Sequence, residues 1–182
     1  MKKEFLKYQT QGGIRMTIIN EIIQNMISYY SGDPKRIHHF IKVHSYARLI
    51  GEQEGLDSDT QTVLELAAVV HDIGIKIAEK KYGKCNGKLQ EQEGPSVAYD
   101  MLSKLSISPW MIDRICYLVA HHHTYTNVNG LDYQILLEAD LLVNLYEDNV
   151  EPIEVEKICN KIFKTSTGKK LCETMYHRVD ES

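Results

Sequence analysis

From Thr17 almost to the end of the chain, apolar residues recur at helical spacing and nowhere alternate over a useful length as a strand would. That pattern restricts the chain to an all-α architecture. Ile18, Ile19, Ile22, Ile23, Met26 and Ile27 form the first stripe. Asp33-Pro34 supplies an N-cap followed by proline at the first helical position. The helix it opens carries Ile37, Phe40, Ile41, Val43, Ala47 and Ile50, and Gly51 and Gly55 mark its decay. Ser58 with Gln61 has the capping-box spacing of a third helix start. There Val63 to Val70 is apolar on nearly every face, as expected at the centre of a core, and Gly74 marks the end. Residues 75–92, rich in Lys, Gly and Gln, read as a mobile loop. Pro95 and Ser108-Pro109 signal two further helix starts, and Asn129-Gly130 signals a turn. Asp132 can cap a helix through Tyr146, and two weaker helices follow over 152–164 and 167–177.

The length of 182 residues suits one domain. Residues 1–15 carry two glycines and little periodicity, so they read as a flexible N-terminal extension, with Met16 a candidate start for a single domain over 16–182. The 21 Lys+Arg against 25 Asp+Glu give a net charge of −4, without the basic surplus or stripe that a nucleic-acid polymer would require of its partner. The longest apolar run, Leu66 to Val70, falls far short of the roughly 20 residues that span a bilayer. The N-terminus also lacks the apolar stretch of a signal peptide. Cys85, Cys116, Cys159 and Cys172 form no CxxC pair and read as reduced thiols of a cytoplasmic protein.

Chemistry concentrates in the histidines. His38, His39 and His44 form one group, His121, His122 and His123 another, and His71 stands beside Asp72, with His177 near the end. His71-Asp72 closes the most apolar helix, where an ionised carboxylate is costly unless paired. Taken alone, that Asp is best read as hydrogen-bonding a neighbouring helix end. Asp140 repeats the oddity, one turn after Leu136 and three residues before Val143, on the inward stripe. A second inward Asp shifts the balance towards a divalent ion, since imidazole and carboxylate together suit Zn, Mn, Fe, Co or Ni. His122 continues the stripe 111, 115, 118, while His121 and His123 lie about 100° to either side. His39 shares a face with Val43 and Ala47; His44 does not, and reads as an ordinary core or surface residue.

These segments resemble the HD-domain metal-dependent phosphohydrolase superfamily. Arg36 to Ala47 matches the helix of the family's first His and selects His39; Leu66 to Gly74 matches the His-Asp signature and selects His71 and Asp72; Glu138 to Leu142 matches the last-Asp helix and selects Asp140. The resemblance covers roughly residues 20–150, and the helices over 152–177 follow it. It implies a helical bundle around a central metal site held by His39, His71, Asp72 and Asp140. His122 matches a further family His that binds a second metal or supports the first. Where relatives carry one more His this chain has Gln90, with Glu91 and Glu93 nearby, so one ion or an uneven pair is expected. Ile75 and Lys76 stand where alarmone hydrolases carry Glu-Asp, and Thr124-Tyr125-Thr126 where cyclic-di-GMP phosphodiesterases carry Gly-Tyr-Pro, which disfavours both substrates.

The resemblance implies hydrolysis of a small phosphorylated molecule, perhaps a nucleotide, by attack of a metal-activated water on phosphorus. Asp72 or Glu91 would orient the water or act as general base. Lys76 and Arg36 are the nearest cations for phosphate, with solvated surface charge an equally good reading, and His123 and Tyr125 are candidate contacts for a base or sugar. A non-catalytic regulatory domain using the same pocket, or a di-iron oxygenase, are the alternatives. A homodimer through the last two helices is a further expectation.

Overall fold

The computed structural model describes residues 2–176, with side chains described throughout from residue 15. Helices among the described residues are α1 (Lys2–Tyr29), α2 (Pro34–Gln53), α3 (Ser58–Val70), α4 (Ile75–Tyr82), α5 (Gly87–Leu102), α6 (Pro109–Val119), α7 (Leu131–Glu147), α8 (Pro152–Ile162) and α9 (Ser166–Tyr176). Strands are absent among them, as the periodicity requires. His177, expected at the end of the last helix, lies outside the described residues.

The bundle is built around α3, which packs against α1, α2, α6 and α7. Every residue from Gln61 to Val70 is buried. A helix apolar all round has no face for water, so neighbours must enclose it. Buried polar groups on α3 reach one another and α2: Glu65 meets His44 Nε2 at 3.0 Å and accepts from Gln61 Nε2 at 2.9 Å. His44 therefore braces α2 on α3, on a different face from His39. Helix α7 runs across the same core against α2 and α3, and α9 packs on α7.

Several local signals behave as expected. Asp33 caps α2, accepting from the Arg36 backbone N–H at 3.1 Å, and Pro34 occupies the first turn. Other expectations need correction. Asp57, not Ser58, caps α3, because its carboxylate reaches the N–H groups of both Asp59 and Thr60. Gln61 is thereby free to turn inward. Asp132 lies inside α7 and instead grips Arg114, with Nε and Nη2 at 2.8 and 2.7 Å. The stretch expected as a loop over 75–92 is mostly α4 and the start of α5. Gly83, at φ +68°, ends α4 in the left-handed conformation that glycine adopts freely, and Asn86 caps α5 through the Leu89 N–H. Pro95 consequently sits inside α5. Residues 2–15, read as an N-terminal extension, are helical and continuous with the rest of α1.

The cysteine expectation also changes. The α8–α9 hairpin brings Cys159 and Cys172 to a Cα–Cα separation of 6.5 Å, and the two are joined as a disulfide; Cys85 and Cys116 are free. Spacing in the sequence could not show this, because the turn between the helices makes the pair. Among the described residues no helix is long and apolar enough to cross a membrane.

Candidate metal centre

His71 and Asp72 sit in the turn between α3 and α4, just past the end of the central helix. His39 comes from α2 and Asp140 from α7, the two helices that flank α3. Their ligand atoms converge: His39 Nε2 lies 3.2 Å from both His71 Nε2 and Asp140 Oδ1, and His71 Nε2 is 3.4 Å from the same oxygen. Asp72 Oδ2 is 3.5 Å from each of the two ring nitrogens. His71 is fully buried and Asp140 nearly so, at 0% and 2% exposed.

The hydrogen bonds fix which ring nitrogens face the centre. His71 Nδ1 donates to the Ala68 carbonyl at 2.9 Å, and His39 Nδ1 donates to Glu147 Oε2 at 3.0 Å. With Nδ1 spent, both rings aim Nε2 at one point, beside two carboxylates. Such a donor set fits a divalent cation once the Nε2 atoms have lost their protons. Without a cation, burial opposes charge on the His71 ring, but the charges of Asp72 and Asp140 outweigh it and push its pKa up to about 9. Burial likewise works against ionised Asp72 and Asp140, and the histidines around them more than compensate, holding both carboxyls below the usual range.

A second group adjoins the first. Asp72 Oδ1 is 3.5 Å from His122 Nε2, while His122 Nδ1 donates to the Val119 carbonyl at 2.8 Å. Asp72, His122 and His123 have ligand atoms within 4.8 Å of one another. The Gln90 Oε1 lies 3.2 Å from His122 Nε2 and 2.6 Å from His123 Nε2, so Gln90 occupies the position where a further His was sought. Burial, reinforced by His122, pulls the His123 pKa down to about 4 and keeps that ring neutral.

Other expected residues stand elsewhere. Glu91 joins neither group: its Oε1 accepts from the His123 N–H at 3.0 Å and Thr124 Oγ1 at 2.9 Å, fastening the turn that carries the histidines. Glu93 pairs with Lys81 and Tyr82. Lys76 donates to the Tyr29 carbonyl at 2.6 Å and lies over the Tyr29 ring, away from the ligands. Arg36 lines the cleft above the centre, held by Asp33 and Glu79. Tyr125 is exposed, six residues beyond the end of α6 in the chain.

That cleft has a volume of about 320 Å³, and His39, Asp72 and Gln90 reach its floor. Two residues of its wall were missed in the sequence. Glu147 and Asn144 lie seven and four positions after Asp140 on α7, hence on one helix face. Counting on from Asp140 would have found both. Two tyrosines brace the His-Asp turn from outside: Tyr30 Oη donates to the Asp72 carbonyl at 2.7 Å and Tyr29 Oη to the Ile73 carbonyl at 3.2 Å.

The bundle converges buried His and Asp side chains beneath an open cleft, a set of groups that could hold a metal ion. The family model of the HD domain matches residues 36–163, and the chain belongs to that family. HD domains bind divalent metals and are commonly metal-dependent phosphohydrolases. Comparison with curated proteins gives no match.

Proposed function

We propose that the protein is a metal-dependent phosphohydrolase of a small phosphorylated molecule. One observation carries the reading: the Nε2 atoms of His39 and His71 meet Asp72 and Asp140 at the floor of a cleft of small-molecule size. His39, His71, Asp72 and Asp140 would hold the ion. When bound, a divalent ion supplies Lewis acidity towards phosphate oxygens and towards water.

The chain's own groups do the rest. Glu147 keeps the His39 Nδ1 proton in place, so that Nε2 stays available as a donor. Asp72 is partly exposed to the cleft and has an oxygen facing each histidine group. Asp72 would accept a proton from an attacking water. Arg36, in the wall, would meet one phosphate oxygen with a charge it shares with Asp33 and Glu79.

Phosphate release from a panel of nucleotides and sugar phosphates, with manganese and with chelator in parallel, tests the reading. Manganese-dependent release abolished by chelator supports it. Absence of release from every compound by protein with confirmed metal overturns it.

A further inference from the structure

The cleft above the metal centre is acidic, which is unusual for a site meant to receive an anion. Asp33, Glu79, Glu147 and Asp148 line it, against Lys35 and Arg36. Ion pairing cancels charge on both partners, and four wall carboxylates against two cations leave the lining net negative. Arg36 is clamped between Asp33 Oδ2 at 2.9 Å and Glu79 Oε1. Lys35 is exposed at the rim and makes no ion pair among the described residues. Even Lys42, on the α2 face nearest Glu147, is taken up by that carboxylate. A bound ion would offset the charge of its own ligands and admit one phosphate. Among the described residues, only Lys35 and Arg36 are basic in the lining, and they form no row to receive a second or third.

Deepening the hydrolase reading, on which this rests, we propose that the substrate carries a single phosphate group. Its remainder is neutral or cationic and rich in hydrogen-bond donors. The wall carboxylates and the Asn144 amide oxygen offer acceptors suited to hydroxyl or ammonium groups. A polyphosphate chain would place further negative charge against Glu79 and Asp148, and like charges brought together in a concave, partly desolvated site are strongly disfavoured. The volume, about 320 Å³, lies at the small end of ligand clefts and agrees with a compact monophosphate.

The test uses the full chain loaded with manganese, the metal kept in excess over nucleotide, and the mono-, di- and triphosphate of adenosine. The kcat/KM for phosphate release should fall on the order of tenfold for each added phosphate. In the double variant Glu79→Gln/Asp148→Asn, two exposed side chains whose loss does not open the core, the penalty on the triphosphate should shrink about tenfold. A triphosphate turned over as well as the monophosphate, or a ratio unchanged in the double variant, would overturn the proposal. If none of the three releases phosphate, the hydrolase reading fails for them, and calorimetric titration of the same compounds decides the inference separately. Tightest binding of the monophosphate supports it, and tightest binding of the triphosphate overturns it.

Discussion

The Nε2 atoms of His39 and His71 stand 3.2 Å apart, although their residues are 32 positions apart in the chain and each ring already spends its Nδ1 proton elsewhere. Only a proton or a cation can relieve two electron pairs held this close. Without metal, burial resists charge on His71 but Asp72 and Asp140 prevail, and its pKa reaches about 9. A histidine raised in the folded state contributes stability in full below its unfolded value of about 6.5, and loses it as pH climbs through the folded value. The metal-free protein should therefore lose stability between about pH 6.5 and 9. Manganese displaces that proton, so its stabilising effect should grow over the same window. Thermal unfolding with and without manganese across that range measures both slopes. A manganese effect that shrinks as pH rises would contradict the arrangement.

Asp72→Ala removes the one carboxylate that faces both histidine groups. Bound metal, measured by elemental analysis of the purified protein, and phosphate release should vanish together. Full activity in this variant would dismantle the proposed function.

Glu147→Gln keeps the shape of the side chain and weakens its hold on His39 Nδ1. Loss of such an outer partner typically costs about 10–100-fold in metal affinity. Competition with a chromophoric chelator should show that loss, while the unfolding midpoint of the metal-free protein moves little.

Gly74→Ala should destabilise the fold by about 1–3 kcal/mol, the usual penalty of overpacking. A Cβ at Gly74 would stand 2.6 Å from the Gln90 carbonyl oxygen and 2.8 Å from the Gly94 nitrogen, both backbone atoms that cannot rotate aside. Urea unfolding reads the cost, and an unchanged midpoint would show that α4 and α5 can separate freely.

Glu138→Ala tests the attachment of the C-terminal hairpin. The buried carboxylate accepts from the N–H groups of Lys164 and Thr165 at 2.6 and 2.9 Å, from Gln134 Nε2 at 2.7 Å, and from the Thr165 hydroxyl. Stranding those donors should cost roughly 2–4 kcal/mol, read from the urea midpoint.

What the sequence made legible was what is local or periodic. Asp33-Pro34 carries its whole capping chemistry within four residues, and the apolar period places His39, Asp140 and His122 inward without any knowledge of neighbouring helices. Glu147 was hidden although it lies on the Asp140 face, because its role depends on α2 crossing α7 at His39. Helix α4 was hidden for a different reason. Half of its eight residues are charged, and only Ala78 becomes buried, so the helix owes its place to packing against α5. Glu91 was credited with chemistry for its nearness in sequence to Gln90. One position further along a helix turns a side chain about 100°, enough to send it to the backbone of His123.

The tyrosines that hold the Asp72 and Ile73 carbonyls precede residue 36, where the match to the family begins. A fragment excised at that edge would retain His39, His71, Asp72 and Asp140 and forfeit the props behind two of the carbonyls in their turn. Similarity delimits the stretch that supplies the donors; the smallest piece able to keep them aimed starts earlier, inside α1.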